Sequence, residues 1–325
     1  MLARVLGGLA LQSHPVAHTV VVDNGSSDDS ISIAQSRGAQ VIALGENTGF
    51  ANAVNVGIAA SATSLVAVIN NDVEFPSTSW LSSLANTLDA HPEAWFATGK
   101  IYQAGHENVL DGTFDAISRS ACPCRCGHGR ADGPQWSQPA AIDMAPFTAA
   151  LFRRQLFHRI GWLDQRFESY LEDVDFGLRC VLAGCRGRYV PEATCTHWGS
   201  ATLGVWNSET VRRLARNQVF LVAKHFPGDW PMRQGWPVLA GQLLWGMVAA
   251  RHGCLLAYLR GKWQGIAQFD SVRAATPPEG DLSNFLQASE QLIGKLQTAG
   301  SASPDAVELG ASQMDWYWRL YFAIT

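Results

Sequence analysis

Between Ser64 and Phe75 the chain reads SLVAVINNDVEF, and this stretch limits the possible folds more than any other. Leu65–Ile69 is an apolar run rich in β-branched residues, too short for a helix and bounded by polar positions. Such a run reads as a strand buried on both faces, as in the middle of a parallel sheet. It stops at Asn70-Asn71-Asp72. In open α/β sheets, ligands bind outside the carboxyl ends of the strands. An oxygen-rich triplet there suits a hard cation and, through it, a phosphate. The same three residues also suit a plain polar turn, so the rest of the chain has to decide between a site and a turn.

The residues before it alternate between helical and strand patterns. Leu2–Gln12 has helical spacing, Thr19–Val22 is a β-branched strand, and Ile31–Arg37 is a helix with Ser27, Asp28 or Asp29 as its cap and Gly38 beyond its end. Val41–Leu44 is a second strand and Ala51–Ser61 a helix of small residues. Helix, strand, helix, strand, helix, strand predicts parallel βα units in a doubly wound sheet. Ser79–Asp89 (helix) and Trp95–Ile101 (strand) follow, then Tyr102–Ala140 as a long irregular insertion. A helix opens at Glu172-Asp173, Gly187–Pro191 is a short strand, and Cys195-Thr196-His197-Trp198 comes next. From Val211 the pattern turns helical, and Asp281–Leu296 is one further amphipathic helix. The expected division is an α/β domain over 1–205, a helical extension over 206–270, and a linker, amphipathic helix and aromatic terminus over 271–325.

Composition narrows the class. A net charge of −4 speaks against nucleic-acid binding, which needs a basic footprint. Seven cysteines without framework spacing fit a reducing, cytoplasmic setting. Met1–His14 lacks the features of a signal peptide. The apolar stretch Val238–Ala250 is shorter than the ~20 residues that span a bilayer. Neither GxGxxG nor GxxxxGK[ST] occurs, which argues against a dinucleotide-dependent oxidoreductase and a P-loop NTPase. The polar groups at the expected strand ends are carboxylates and amides instead: Asp23, Asn47 to Gly49, Asp72, and Glu172-Asp173 at a later helix start. They suit hydrogen bonds to a base and ribose, with a divalent ion on a diphosphate.

VVVDNGSSDDS, GENTGFANAVNVGI, VINNDVEF, YLEDVDFGLRC and THWGSAT, in that order, resemble the family 2 inverting glycosyltransferases of the GT-A fold, and within them the bacterial rhamnosyltransferase-like branch. The resemblance covers about residues 2–225. It implies a Rossmann-like, mostly parallel sheet with flanking helices and a C-terminal helical extension. It also implies sugar transfer from a nucleotide-diphosphate donor to a saccharide or lipid-linked acceptor, in cell-surface polysaccharide synthesis at the inner face of the cell membrane. By position in the motifs, Asp23 holds the base and Asn47 and Gly49 line the nucleotide. Asn70, Asn71 and Asp72 occupy the DxD position, where Asp72 reaches a Mg²⁺ or Mn²⁺ ion and Asn70 replaces the first acid. Asp173 matches the catalytic base with Glu172 beside it, and His197 matches a position that reaches the metal or the diphosphate. A structural role was weighed for each: helix-dipole carboxylates for Glu172-Asp173, an Asx turn for Asp23, and packing for His197.

The family begins with an apolar strand that contributes to the nucleotide pocket, whereas this chain starts inside what would be the following helix. Either the start is assigned too late or the protein lacks that strand; in the second case the sheet stands open beside Thr19–Val22, and a non-catalytic sugar-nucleotide-binding protein becomes the alternative. Three features stay open. Cys122, Cys124, Cys126 and His128 form a metal-like cluster, although the alternate spacing is not that of zinc sites. Arg212, Arg213, Arg216 and Lys224 suit a lipid diphosphate, an anionic membrane, or a solvated face. Trp198 and Trp206 suit sugar stacking or packing.

Overall fold

The computed structural model describes residues 1–106, 108–199, 206–273, 281–298 and 312–325. The linker end after residue 273, the Gly300–Pro304 turn and the Ser-Ala-Thr that closes THWGSAT lie outside the described residues. In chain order the elements are α1 (Leu2–Ala10), β1 (Val20–Asp23), α2 (Ser30–Ser36), β2 (Gln40–Ala43), α3 (Phe50–Ala60), β3 (Leu65–Ile69), β4 (Val73–Glu74), α4 (Trp80–Ala90) and β5 (Phe96–Gln103). Next come β6 (Leu110–Gly112), β7 (Asp115–Ile117), β8 (Pro123–Arg125), β9 (Ala140–Ile142), β10 (Ala149–Arg153), α5 (Arg154–Ile160), α6 (Glu172–Leu182) and β11 (Gly187–His197). The chain then becomes helical: α7 (Ser208–His225), α8 (Trp230–Arg251), α9 (Leu255–Ala267), α10 (Phe269–Val272), α11 (Leu282–Thr298) and α12 (Ser312–Ile324).

The sheet is in two pieces. β1 and β2 pair in parallel, while the main sheet runs β3-β10-β5-β11-β4 with β6 and β9 at its margins. β3 does not sit between parallel neighbours as its apolar run implies. It pairs antiparallel with β10 (Ile69 opposite Ala149, Leu65 opposite Arg153), and its burial alternates rather than being complete. Antiparallel β10 brings its own apolar face, and a strand covered on one edge needs only alternating burial. β5 and β11 pair in parallel, with a register break between Val190 and Thr194. Pro191, which has no N–H to give a ladder, falls at that break. Gly99 lies against it, where a Cβ would come 1.7 Å from the Ala193 carbonyl oxygen.

The insertion after Tyr102 is far more ordered than its composition implies. β7 and β8 form a hairpin whose register sets Asp115 opposite Arg125. Val109, Leu110, Ile117, Ala121, Cys122 and Cys126 are buried. Small polar residues can be interior here because other chain segments cover them: Ser289 on α11 accepts the Ile117 N–H at 2.9 Å, and Glu290 receives Arg119 at 2.6 Å. The C-terminal helices therefore close over the insertion, a contact that local periodicity does not encode.

β1 and β3 each leave one edge without a strand neighbour among the described residues, and both edges line one cavity of about 1250 Å³. Backbone N–H groups on such edges lack the ladder partners that slow their exchange. Hydrogen exchange should therefore be fast at alternate amides of Val20–Asp23 and Leu65–Ile69, and slow across Phe96–Thr98 of β5, which is paired on both sides. Equal protection in all three strands would contradict this.

Candidate active site

The register of β11 with β4 builds the first half of the site. It sets His197 opposite Val73, and the Trp198 N–H donates to the Asp72 carbonyl at 3.0 Å, so the imidazole reaches the end of β3. His197 Nε2 lies 3.2 Å from Asp72 Oδ1, and its Nδ1 lies 3.0 Å from Asp111 Oδ2. The Asp72 contact has the distance of an ion pair but not the geometry of a hydrogen bond. Asp72 Oδ1 and Asn70 Oδ1 are thus buried oxygens without a donor. Burial lowers the affinity of His197 for a proton, but the Asp111 hydrogen bond and the two carboxylate charges of Asp111 and Asp72 outweigh it and raise the group to about 9. Asn71 is exposed and makes no comparable contact.

The second half is the pair of loops that follow β1 and β2. Asp23 ends β1 buried, and its carboxylate accepts the Ser26 N–H at 3.3 Å, the turn-closing bond of an Asx residue. Asn24 bridges to the next loop: its Nδ2 donates to Asn47 Oδ1 at 3.1 Å and its Oδ1 accepts the Thr48 N–H at 2.8 Å. Asn47 Oδ1 in turn accepts the Gly49 N–H at 3.1 Å. Gly49 is required by both backbone and space, with φ of +90° and a would-be Cβ 2.9 Å from the backbone of Glu168.

Glu168 belongs to the segment that delivers the carboxylates. Glu168, Tyr170 and Leu171 all have left-handed φ between 60° and 73°, which is costly for residues with a Cβ. The segment is held from outside. Arg216 on α7 donates to the Phe167 carbonyl at 3.0 Å and pairs with Glu168 at 2.7 Å, and Asn217 Nδ2 reaches the carbonyls of Phe167, Ser169 and Tyr170. α6 then starts at Glu172 with three acids in its first turn, where the helix dipole favours negative charge.

Three carboxylates surround one half-buried guanidinium. Arg125 lies 3.3 Å from Asp115, 3.8 Å from Asp173 and 3.9 Å from Asp111. Burial raises Asp115 to about 6, against the pull of Arg125 and with the help of the Asp173 charge. Burial also raises Asp173, although Arg125 and the Val174 N–H hold its anion. Glu172 is driven well above the carboxylate range by burial and then by Asp173, and its Oε2 has no donor. Asp173 is thus a carboxyl whose proton affinity is raised toward neutrality, open to the cavity.

Of the sequence candidates Asp23, Asn47, Gly49, Asn70, Asn71, Asp72, Glu172, Asp173 and His197, the structure gathers all but Asp23 and Gly49 into the lining of one cavity; those two close the turns behind it. Asp111, Asp115 and Arg125 line the same cavity without standing out in the sequence, and so does His128, which the sequence pattern groups with the cysteines instead. Their only signal is acids and arginines scattered through a polar insertion. The metal-like cysteine cluster does not converge. Cys122 Sγ accepts from Gln242 Nε2 at 3.4 Å, Cys124 faces Gln297, and His128 Nδ1 lies 2.8 Å from the Asp111 carbonyl. Among the described residues no group of three or more His, Cys, Asp and Glu side chains is placed to hold a metal alone. The basic residues of α7 are internal: Arg212 and Arg213 pair with Glu209 at 2.6 Å, Arg216 with Glu168, and Lys224 with Asp164 at 2.8 Å. Trp206 stacks on His252 at 3.9 Å as packing, whereas Trp198 is half exposed and lines the cavity with Arg4 against its ring.

Solved structures share this architecture. GalNAc-T7 with UDP, GalNAc and Mn²⁺ superposes with a TM-score of 0.54 at 13% identity, covering 78% of this chain, which spans about half (51%) of that one. The mannosyltransferase PcManGT from Pyrobaculum calidifontis, with GDP-Man and Mn²⁺, gives 0.50 at 15% identity over 98% of this chain and 81% of its own. The fold is GT-A, the class of scaffold that the motifs imply. Residues 1–161, just under half of the chain, match Glycosyl transferase family 2, and together with the glycosyltransferase relatives below this identifies the chain as a glycosyltransferase. Among curated relatives, an N-acetylglucosaminyl-diphospho-decaprenol L-rhamnosyltransferase of Mycobacterium tuberculosis is 25% identical over 270 residues, 74% of this chain and 86% of that protein. A pre-mycofactocin glycosyltransferase of the same organism is 29% identical over 192 residues, 58% of this chain and 38% of its own length.

His197 gives the site a pH signature. Its folded value of about 9 exceeds the ordinary 6.5, so its stabilising contribution is complete below about pH 6.5 and is lost as pH rises through 9. Metal-free protein should lose unfolding free energy over that interval, and His197→Gln should be less stable at pH 6.5 with a shallower decline. Parallel pH profiles for the two proteins in chemical denaturation would refute this.

Proposed function

We propose that this chain is an inverting transferase that moves a sugar from a nucleotide-diphosphate donor to a lipid-linked or saccharide acceptor in cell-surface polysaccharide synthesis. The observation that carries this reading is one cavity lined at one place by the donor-free oxygens of Asn70 and Asp72 and at another by the raised carboxyl of Asp173. The decaprenol-diphosphate acceptor named for the mycobacterial relative supports the lipid-linked choice.

In this reading Asp23, Asn47 and Gly49 shape the nucleoside end. Asn70, Asn71 and Asp72 face the diphosphate. Asp72 Oδ1, Asn70 Oδ1 and His197 Nε2 fit a divalent cation, since buried oxygens without donors and an imidazole whose other nitrogen is fixed by Asp111 are what Mg²⁺ or Mn²⁺ can use with diphosphate oxygens. Bound there, such an ion would neutralise charge that gathers on the leaving diphosphate. The acceptor hydroxyl attacks the anomeric carbon as the bond from that carbon to the phosphate oxygen breaks. Asp173 takes the hydroxyl proton, a role worth ~10²–10⁴-fold in rate. Glu172 beside it has a proton affinity raised by burial and by Asp173, which favours its neutral form and limits a second negative charge against the diphosphate. Arg125 keeps the Asp173 anion accessible and oriented.

Asp173→Asn should cut transfer by at least ~10²-fold while leaving donor binding by calorimetry within a few-fold. Retained transfer would remove Asp173 from the base role. Asp72→Asn should weaken Mn²⁺ binding measured by calorimetry in the presence of UDP, and unchanged binding would remove Asp72 from the metal role. The open edges of β1 and β3 favour a second reading, a sugar-nucleotide-binding protein without turnover. Its mark would be donor binding with neither transfer nor donor hydrolysis.

A further inference from the structure

α8 and α9 carry an apolar surface that no described part of the chain covers. On α8, Met232, Trp236, Leu239, Leu243 and Met247 recur every three or four residues, and each is more than half exposed. On α9, Leu256, Leu259, Trp263 and Ile266 repeat the pattern, with Leu256 82% and Trp263 70% exposed. The two helices are consecutive and pack together, with Trp245 of α8 stacked on Tyr258 of α9. The Trp236 indole N–H donates to the Ile324 carbonyl at the end of α12, where Leu320 and Ile324 extend the exposed apolar surface. Surfaces of this kind mark interaction sites.

Charge identifies the partner. From residue 230 to residue 269 there is no Asp or Glu, in a chain whose net charge is −4. Arg233, Arg251 and Arg260 are exposed there, and neither Arg251 nor Arg260 has an ion-pair partner among the described residues. Lys262 does not count, being turned inward onto Gln218 and Gln242. An acid-free helical pair with exposed Trp, Leu and Met beside free arginines suits an anionic lipid surface, with indoles at headgroup level and guanidinium groups on phosphates. No helix of the described residues is long and apolar enough to cross a membrane. The arginines of α7, by contrast, are consumed by internal ion pairs, so the basic residues that sequence pattern singles out are not the lipid-facing ones.

We propose that the outer face of α8 and α9 docks this protein in the plane of an anionic bilayer, without spanning it. The link to a lipid-linked acceptor rests on the function proposed above; the docking itself does not. It is tested by flotation of the full chain with vesicles of phosphatidylcholine alone or with about 30% phosphatidylglycerol. We expect at least several-fold more protein to float with the anionic vesicles, and the excess to shrink in high salt. Arg251→Glu with Arg260→Glu should remove the charge-dependent part, and Leu256→Ser with Trp263→Ser should abolish flotation while leaving thermal unfolding unchanged, since both side chains are exposed. Absence of flotation with folded wild-type protein would overturn the proposal. So would a dimer, seen by sedimentation, that the Leu256/Trp263 substitutions dissociate, because the face would then be covered by a second copy. Neither result bears on catalysis, which is read separately by transfer to a water-soluble acceptor.

Discussion

The side-chain amide of Asn217 reaches the carbonyl oxygens of Phe167, Ser169 and Tyr170, and the geometry of the site depends on that grip. Three residues of this segment sit in left-handed backbone, each at a cost of order 1 kcal/mol or more that must be met by bonds from elsewhere. Arg216 and Asn217 supply them from a buried helix face. The same segment touches the loop after β2, because the Glu168 carbonyl accepts the Ala51 N–H at 2.9 Å and Gly49 packs on the Glu168 backbone. One strained turn therefore fixes the separation between the loop at Gly49 and the carboxyl of Asp173. The helical part that follows the α/β domain thus helps to build the cavity, with Leu214 and Gln218 of α7 and Trp245 of α8 in its lining.

A second constraint is electrostatic. Asp111, Asp115, Glu172 and Asp173 crowd into a region with one guanidinium, that of Arg125, and two imidazoles. Such a set cannot be fully ionised when buried, so protons are shared unequally. Asp111 is held well below the usual carboxylate range by His128 and His197 despite its burial, whereas Asp115 and Glu172 are pushed up. The division follows burial and neighbouring acids as much as cations: Asp115 is pushed up by burial and by the charges of Asp173 and Asp111 although Arg125 lies 3.3 Å away. α6 is anchored separately by Asp175, which is buried among Arg179, Lys224 and His225 and ties the helix carrying Asp173 to α7.

Much of this was legible in the sequence where chemistry is local. The strand ends at Asp23 and Asp72, the glycine at position 49 and the acids that open α6 each follow from short patterns, and element boundaries fall within a few residues of those read from periodicity. The insertion was not legible. Its order comes from α11, more than 150 residues away, through Ser289 and Glu290, and no local signal tells a polar segment that a distant helix will cover it. The same reason hid Arg125, Asp111 and Asp115, whose meaning lies in convergence and not in spacing. The α7 arginines show the opposite error: a basic face along a helix looks solvated or ligand-binding until the acids it meets, Glu209, Glu168, Asp164 and Asp175, are placed in space.

The division of the sheet has a thermodynamic consequence. β1 and β2 carry the loops of Asp23 and Asn47 and the main sheet carries Asp72, and among the described residues no ladder of hydrogen bonds joins the two pieces. They are held by α3, by the side chain of Asn24, and by loops. A donor that spans both pieces would therefore act as a cross-brace. It would be linked to the opening of one piece against the other as well as to global unfolding, and part of its intrinsic binding energy would be used to close them. Affinity for the donor and rigidity of the small β1–β2 unit would then be two measures of a single equilibrium.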